Sequence, residues 1–144
     1  MSGGKDTLSA LPQQEKTKLA YKILHCGWIC ALASELAAAR AVLDEHHDSL
    51  PQDRRDHNNY NLGRIKAHNV AIACLPEGVM GVTSAARVAE QMLWTFNALR
   101  FGLMVRIGGG APNAQNDSRL GDVVVSRPKG SFGGAIQYDY DKTV

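Results

Sequence analysis

At 144 residues, the chain has the size of one domain and leaves no room for two comfortable cores. Apolar residues make up 44% and charged residues 21%, a globular balance that excludes global disorder. Sixteen Lys and Arg against fourteen Asp and Glu leave a formal charge of +2, too small for the basic field of a nucleic-acid binder.

The N-terminal stretch MSGGKDTLSALPQQEKTK is polar and lacks the apolar core of a secretory signal. Its composition predicts a disordered lead-in over residues 1–19, with residues 20–144 forming the domain. The longest apolar run, Leu19–Ala33, is interrupted by Lys22 and His25, so no membrane span is expected. Together these features predict a cytoplasmic, non-secreted protein. The three cysteines, Cys26, Cys30 and Cys74, lack CxxC spacing and read as reduced, buried thiols. Cys26 and Cys30 share a face of a strand, but strand rise would set them roughly 13 Å apart, too far for a disulfide.

In chain order, Tyr21–Ala31 is rich in β-branched, aromatic and apolar residues and predicts a buried first strand. Ser34 reads as the cap of a helix running to about Glu45, with Glu35 in its first turn and Leu32, Leu36, Ala39 and Leu43 at helical spacing. Residues 44–61, DEHHDSLPQDRRDHNNYN, read as a polar loop. Tyr60–Ile65 and Asn69–Leu75, split by Lys66, Ala67 and His68, predict a hairpin. After Pro76, Glu77 and Gly78, the pattern Val82, Ala85, Ala86, Ala89, Met92, Leu93 and Phe96 marks an amphipathic helix. Phe101–Ile107 reads as another buried strand, Val123–Ser126 as a short one and Ala135–Tyr140 as one more. The aromatics Trp28, Trp94, Phe96 and Phe101 fall on core positions. The order β-α-β-β-α-β-β predicts an α/β fold: a three-layer α/β/α sandwich with a mixed central sheet.

Ten of the fourteen glycines follow Glu77, and several close strands. In open α/β sheets, ligands bind at the carboxyl ends of strands. Two such places stand out, Gly78–Ser84 before a helix and Arg106–Gly110 after a strand. Glycines there let backbone amides approach an anion or a sugar. Neither segment is a dinucleotide fingerprint or a Walker A loop, and a GGG run also serves as a plain tight turn. Glu35 falls at the same sheet edge if the strands are parallel; a first-turn Glu also serves simply to offset the helix dipole. His46, His47, Asp48, Asp53, Asp56 and His57 match no standard ligand spacing, so no metal is expected. No GxSxG elbow is present to support serine catalysis.

The segments GWICALASELAAARAVLDE (27–45), NNYNLGRIKAHNVAIACLPEGVMGVTSAARVAEQM (58–92), RFGLMVRIGGGAP (100–112) and RLGDVVVS (119–126) together resemble the nucleoside phosphorylase and nucleosidase superfamily. The nearest likeness is to its fungal branch, which precedes NACHT, ankyrin or tetratricopeptide-type modules. The resemblance covers nearly everything from Tyr21 to Tyr140. It implies cleavage of the N-glycosidic bond of purine nucleosides through an oxocarbenium-like transition state, with water or inorganic phosphate as nucleophile and no further cofactor.

By resemblance, Glu35 would activate the attacking water, and Gly108, Gly109 and Gly110 would lie along ribose and base. Gly78 and Gly81 would form the anion- or water-binding turn, with the Thr83 and Ser84 hydroxyls nearby, and Gly121 and Asp122 would be structural. Two departures bear on activity. The fungal branch carries glycine where this chain has Arg106, and in phosphorolytic relatives an arginine before the loop binds phosphate. The family's ribose-gripping glutamate and purine-protonating aspartate belong to a second half that would follow Val144, so the domain reads as an incomplete N-terminal part. This leaves two expectations: a nucleosidase- or phosphorylase-like enzyme, or a non-catalytic nucleoside-sensing module from the N-terminal domain of a larger receptor. An incomplete sheet would also expose an edge through which two copies could pair.

Overall fold

The computed structural model describes residues 22–79, 81–114, 117–131 and 133–134, with Pro12 and Gln14. The remainder of the lead-in and the strand expected at Ala135–Tyr140 lie outside the described residues. The chain divides into two units, residues 1–107 and 108–144.

The first unit is a mixed α/β fold. In chain order it holds β1 (Leu24–Cys30), α1 (Ala33–Ala41), β2 (Glu45–His47), β3 (Tyr60–Ile65), β4 (His68–Cys74), α2 (Val82–Thr95) and β5 (Phe101–Met104). The sheet order is β2-β3-β4-β1-β5. β1 runs parallel to both β4 and β5, whereas β3 is antiparallel to β2 and β4. The carboxyl ends of β1, β4 and β5 therefore share one edge.

Alternation along the strands builds two cores. Val70 and Ile72 of β4 join Cys26 and Cys30 of β1 beneath Ala39 of α1. Ala71 and Ala73 join Ile29, Val88 and Met92 of α2, and Phe96 just after it. Neighbours along a strand point to opposite faces, so residues of β1 and β4 alternate between the two clusters. A bulge between Leu24 and Cys26 shifts the register against β4. It explains why Leu24 joins the α2 side while Cys26 joins the α1 side. Phe96 is 1% exposed and meets the Tyr60 ring edge-on at 4.8 Å. All three cysteines are free, and burial pushes the Cys30 thiol up to about 11, keeping it protonated and unreactive.

The hairpin forms where the sequence predicts it, and Lys66 takes a φ of +53° in its turn. Several expectations need correction. Ser34 is not the helix cap: the cap lies two residues earlier, at Leu32, and Glu35 closes the first turn. The helix stops at Ala41 rather than near Glu45, because Glu45–His47 pairs with Leu62–Arg64 as β2. β5 ends at Met104, not Ile107, and is exposed rather than buried. Among the described residues it is the last strand of the sheet. Phe101, expected in the core, is 48% exposed on this strand. Trp94 is half-buried, with the Arg55 guanidinium over its ring at 4.7 Å.

In the second unit, the described residues form no helix and no extended strand. Val123–Ser126, expected as a strand, is irregular, with Val123, Val124 and Val125 at 80–88% exposure. A strand needs a ladder partner, which β-propensity in the sequence cannot supply. Gly121 turns at φ +96°, and the Asp122 carboxylate accepts from the Arg119 N–H at 2.8 Å, a structural role for that pair.

Two glycines of the first unit test the packing. A Cβ at Gly63 would meet the Glu45 carbonyl at 2.5 Å and a Leu43 methyl at 2.7 Å, so the β2–β3 contact would have to open. A Cβ at Gly27 would crowd the Met92 sulfur at 2.6 Å, on a flexible side chain, and reach Leu99 at an ordinary 3.5 Å. Gly63→Ala is expected to cost about 2 kcal/mol, and Gly27→Ala less, by denaturant unfolding. An equal cost for both would contradict this packing.

Candidate functional site

Glu35 is the predicted residue with the most developed surroundings. It is 7% exposed, at the junction of β1, α1 and the segment after β5. Its Oε2 accepts the Ala31 N–H at 2.8 Å and the Leu32 N–H at 3.0 Å. Its Oε1 accepts the Ile107 N–H at 2.7 Å. A leucine cannot cap a helix with its side chain, and Glu35 satisfies the cap residue's own N–H instead. Burial pushes its pKa up, but the three N–H donors, with a smaller contribution from the positive charge of Arg106, outweigh that. The net direction is downward, so the carboxylate is ionised at neutral pH. Arg106 itself is exposed.

Three N–H donors occupy most of what the carboxylate can accept. A general base needs a free lone pair aimed at its water and a pKa near the working pH. Oε2 of Glu35 is filled by two backbone donors, Oε1 by one, and the lowered pKa makes the carboxylate a weaker base. This geometry ties a helix start to a strand end.

The other predicted residues sit as follows. The loop from β4 to α2 leaves the same sheet edge as Glu35. In it Gly78 has φ +75° and Gly81 φ +117°, with open space where a Cβ would stand. Gly81, with ψ 172°, occupies a region essentially closed to other residues. Thr83 is exposed and Ser84 half-buried in the first turn of α2, and no side chain caps that helix start. Thr83 also lines an open cleft of about 820 Å³ with Arg55, His57, Arg87, Gln91 and Trp94. None of the other predicted site residues lines that cleft. Gly108, Gly109 and Gly110 belong to the second unit and are exposed, and none has a positive φ.

A buried cluster that sequence reasoning missed lies in the polar loop. Asp56 is 7% exposed. Its Oδ2 accepts the Tyr60 hydroxyl at 2.8 Å and the Thr95 hydroxyl, and its Oδ1 accepts the Asn58 N–H at 3.0 Å. Asn58 donates through Nδ2 to the Tyr60 oxygen and to the Val88 carbonyl. Gln91 accepts the His57 N–H at 3.1 Å, and Thr95 accepts that of Asp53. Burial raises the Tyr60 hydroxyl's pKa, so it remains a donor. The available signal was on α2, where Gln91 and Thr95 fall in the same stripe as Val88, Met92 and Phe96 and so need buried partners. Asp53 is held by Arg55 through two bonds of 2.9 and 3.0 Å.

No family model matches the chain, and no solved structure matches it. The chain is 52% identical over 128 residues to a nucleotide-binding leucine-rich repeat (NLR)-like protein of Hyaloscypha variabilis. The match takes in 88% of this chain and 13% of that protein, so the chain spans a small part of the relative's length. No helix among the described residues is long and apolar enough to cross a membrane.

Proposed function

We propose that this chain is a nucleoside-sensing module of an NLR-type receptor, one that binds a purine nucleoside and does not cleave it. The observation that carries the reading is the commitment of Glu35 to the N–H groups of Ala31, Leu32 and Ile107, which leaves it a poor base for water. The likeness to an NLR-like protein over 128 residues supports the receptor context. In this reading the three-layer α/β/α arrangement presents the β4–α2 loop as the ligand platform. Gly78 and Gly81 hold that loop open, and the uncapped N–H groups of α2 with the Thr83 and Ser84 hydroxyls face the ligand's sugar or an anion. Arg106, after β5 in the same unit, would favour an anionic group such as inorganic phosphate.

Calorimetric titration with adenosine, methylthioadenosine and inorganic phosphate tests this. A nucleoside is expected to bind, and Gly81→Ala is expected to weaken it at least tenfold by closing the loop. No heat from any nucleoside would reject the reading.

A further inference from the structure

We propose that the cleft between α2 and the loop before β3 binds a small planar aromatic ligand that carries an anionic group, a carboxylate or a phosphate. Arg87, Gln91 and Trp94 follow one another at helical spacing and so share a face of α2. Arg55 and His57 of the loop complete a cleft of about 820 Å³, a volume that suits a small ligand. All of these residues belong to the first unit. The cleft shares only Thr83 with the nucleoside platform proposed above, so the two sites stand or fall separately.

The walls are held in place by the fold itself. The Gln91 Oε1 accepts the His57 N–H at 3.1 Å, and the Asn58 Nδ2 donates to the Val88 carbonyl of α2 at 3.0 Å, which pins the loop to the helix. Arg55 is fixed as well. Its Nε and Nη2 donate to the two Asp53 oxygens at 2.9 and 3.0 Å, and its guanidinium lies over the Trp94 ring at 4.7 Å. The Arg55 side chain is nevertheless 65% exposed. A guanidinium held flat on an indole offers its other face to a second planar ring.

Three polar groups select the ligand. Gln91 is 6% exposed, and its Nε2 has no hydrogen-bond partner among the described residues, although that atom is not sealed from solvent. A buried amide that commits its oxygen to the loop and lines a cleft with its NH₂ group unpaired is a donor without an acceptor. Arg87 is exposed and forms no ion pair among the described residues, so its guanidinium is available to an anionic group. Glu90, three residues further on, accepts from a ring N–H or an amine. A flat ring with an N–H donor and an anion is the chemistry of both an indole carboxylate and a purine nucleotide.

The test is a nitrogen–proton correlation titration of the full chain with indoleacetate, adenosine monophosphate and tryptamine, which has the indole ring with an ammonium in place of the carboxylate. The Trp94 indole N–H reports on the cleft, and that of Trp28, on the α1 side of the sheet, is the internal control. Indoleacetate is expected to shift Trp94 and not Trp28, and to bind about tenfold or more tighter than tryptamine. Gln91→Glu keeps an acceptor for the His57 N–H and removes the donor, and is expected to weaken indoleacetate about tenfold. Arg87→Glu should reverse the preference between the two indoles, and that gain for tryptamine cannot come from misfolding. The tighter of the two anions identifies the source of the ligand, an aromatic acid or a nucleotide. A shift of Trp94 by neither anion, or equal binding of indoleacetate and tryptamine, would overturn the proposal. So would adenosine monophosphate and indoleacetate that move the Gly81 amide and leave Trp94 in place, since both would then sit on the β4–α2 loop.

Discussion

Glu35→Ala is expected to destabilise the fold by about 3 kcal/mol in denaturant unfolding, the largest effect of any single substitution at the sheet edge. The mutation removes one acceptor group and strands three N–H donors, those of Ala31, Leu32 and Ile107. Ala31 is itself buried, so water cannot replace the carboxylate freely there. Glu35→Gln should recover only part of the loss. Its amide keeps one acceptor oxygen but turns an NH₂ group towards a backbone donor.

The same contacts set a pH dependence. Because the folded-state pKa of Glu35 lies below the ordinary value of 4.5, its contribution is fully present above that value. It is lost as the pH falls through the lowered folded-state pKa. Stability should therefore fall on acidification below about pH 4.5, and the Glu35→Gln variant should lose less over that window. Chemical unfolding at pH 7 and at pH 3 for both proteins measures the difference. An identical acid loss in the two would show that Glu35 is not the group responsible.

Asp56→Ala is the second large effect, also expected to cost about 3 kcal/mol. Its carboxylate receives the Tyr60 and Thr95 hydroxyls and the Asn58 N–H, and Tyr60 in turn packs on Phe96 in the core. Removing the acceptor leaves three donors pointing at an apolar side chain. Thr95→Val and Tyr60→Phe each remove one donor and should cost about 1 kcal/mol. Limited proteolysis adds a local readout, since loss of Asp56 should open residues 48–59 to cleavage before the strands. If Asp56→Ala melts like the parent chain and the loop stays resistant, the cluster does not anchor it.

These two carboxylates show what could be read from the sequence and what could not. β1, the hairpin and α2 were legible because alternation, a short polar turn and a helical stripe are local signals. The position of Glu35 at a parallel sheet edge followed from the same pattern. Its role did not, because the Ile107 N–H that completes it lies 72 residues away. Ser34 looked like a cap because its residue type favours caps, and tertiary contacts placed the cap at Leu32 instead. β2 was hidden because Glu45-His46-His47 has no apolar alternation, and only its pairing with β3 makes it a strand. Conversely, Val123–Ser126 has strand composition and no ladder. Asp56 read as a solvated loop residue because nothing local revealed that Thr95 and Tyr60 would meet it.

If the chain holds a nucleoside without breaking its glycosidic bond, as we propose, no free base should form. The most direct measurement is chromatographic detection of free adenine after prolonged incubation of the protein with methylthioadenosine, with and without phosphate, beside Glu35→Gln. Intact nucleoside is expected in every sample. Adenine release by the parent chain that Glu35→Gln abolishes would contradict it, and would return Glu35 to the role of a catalytic base.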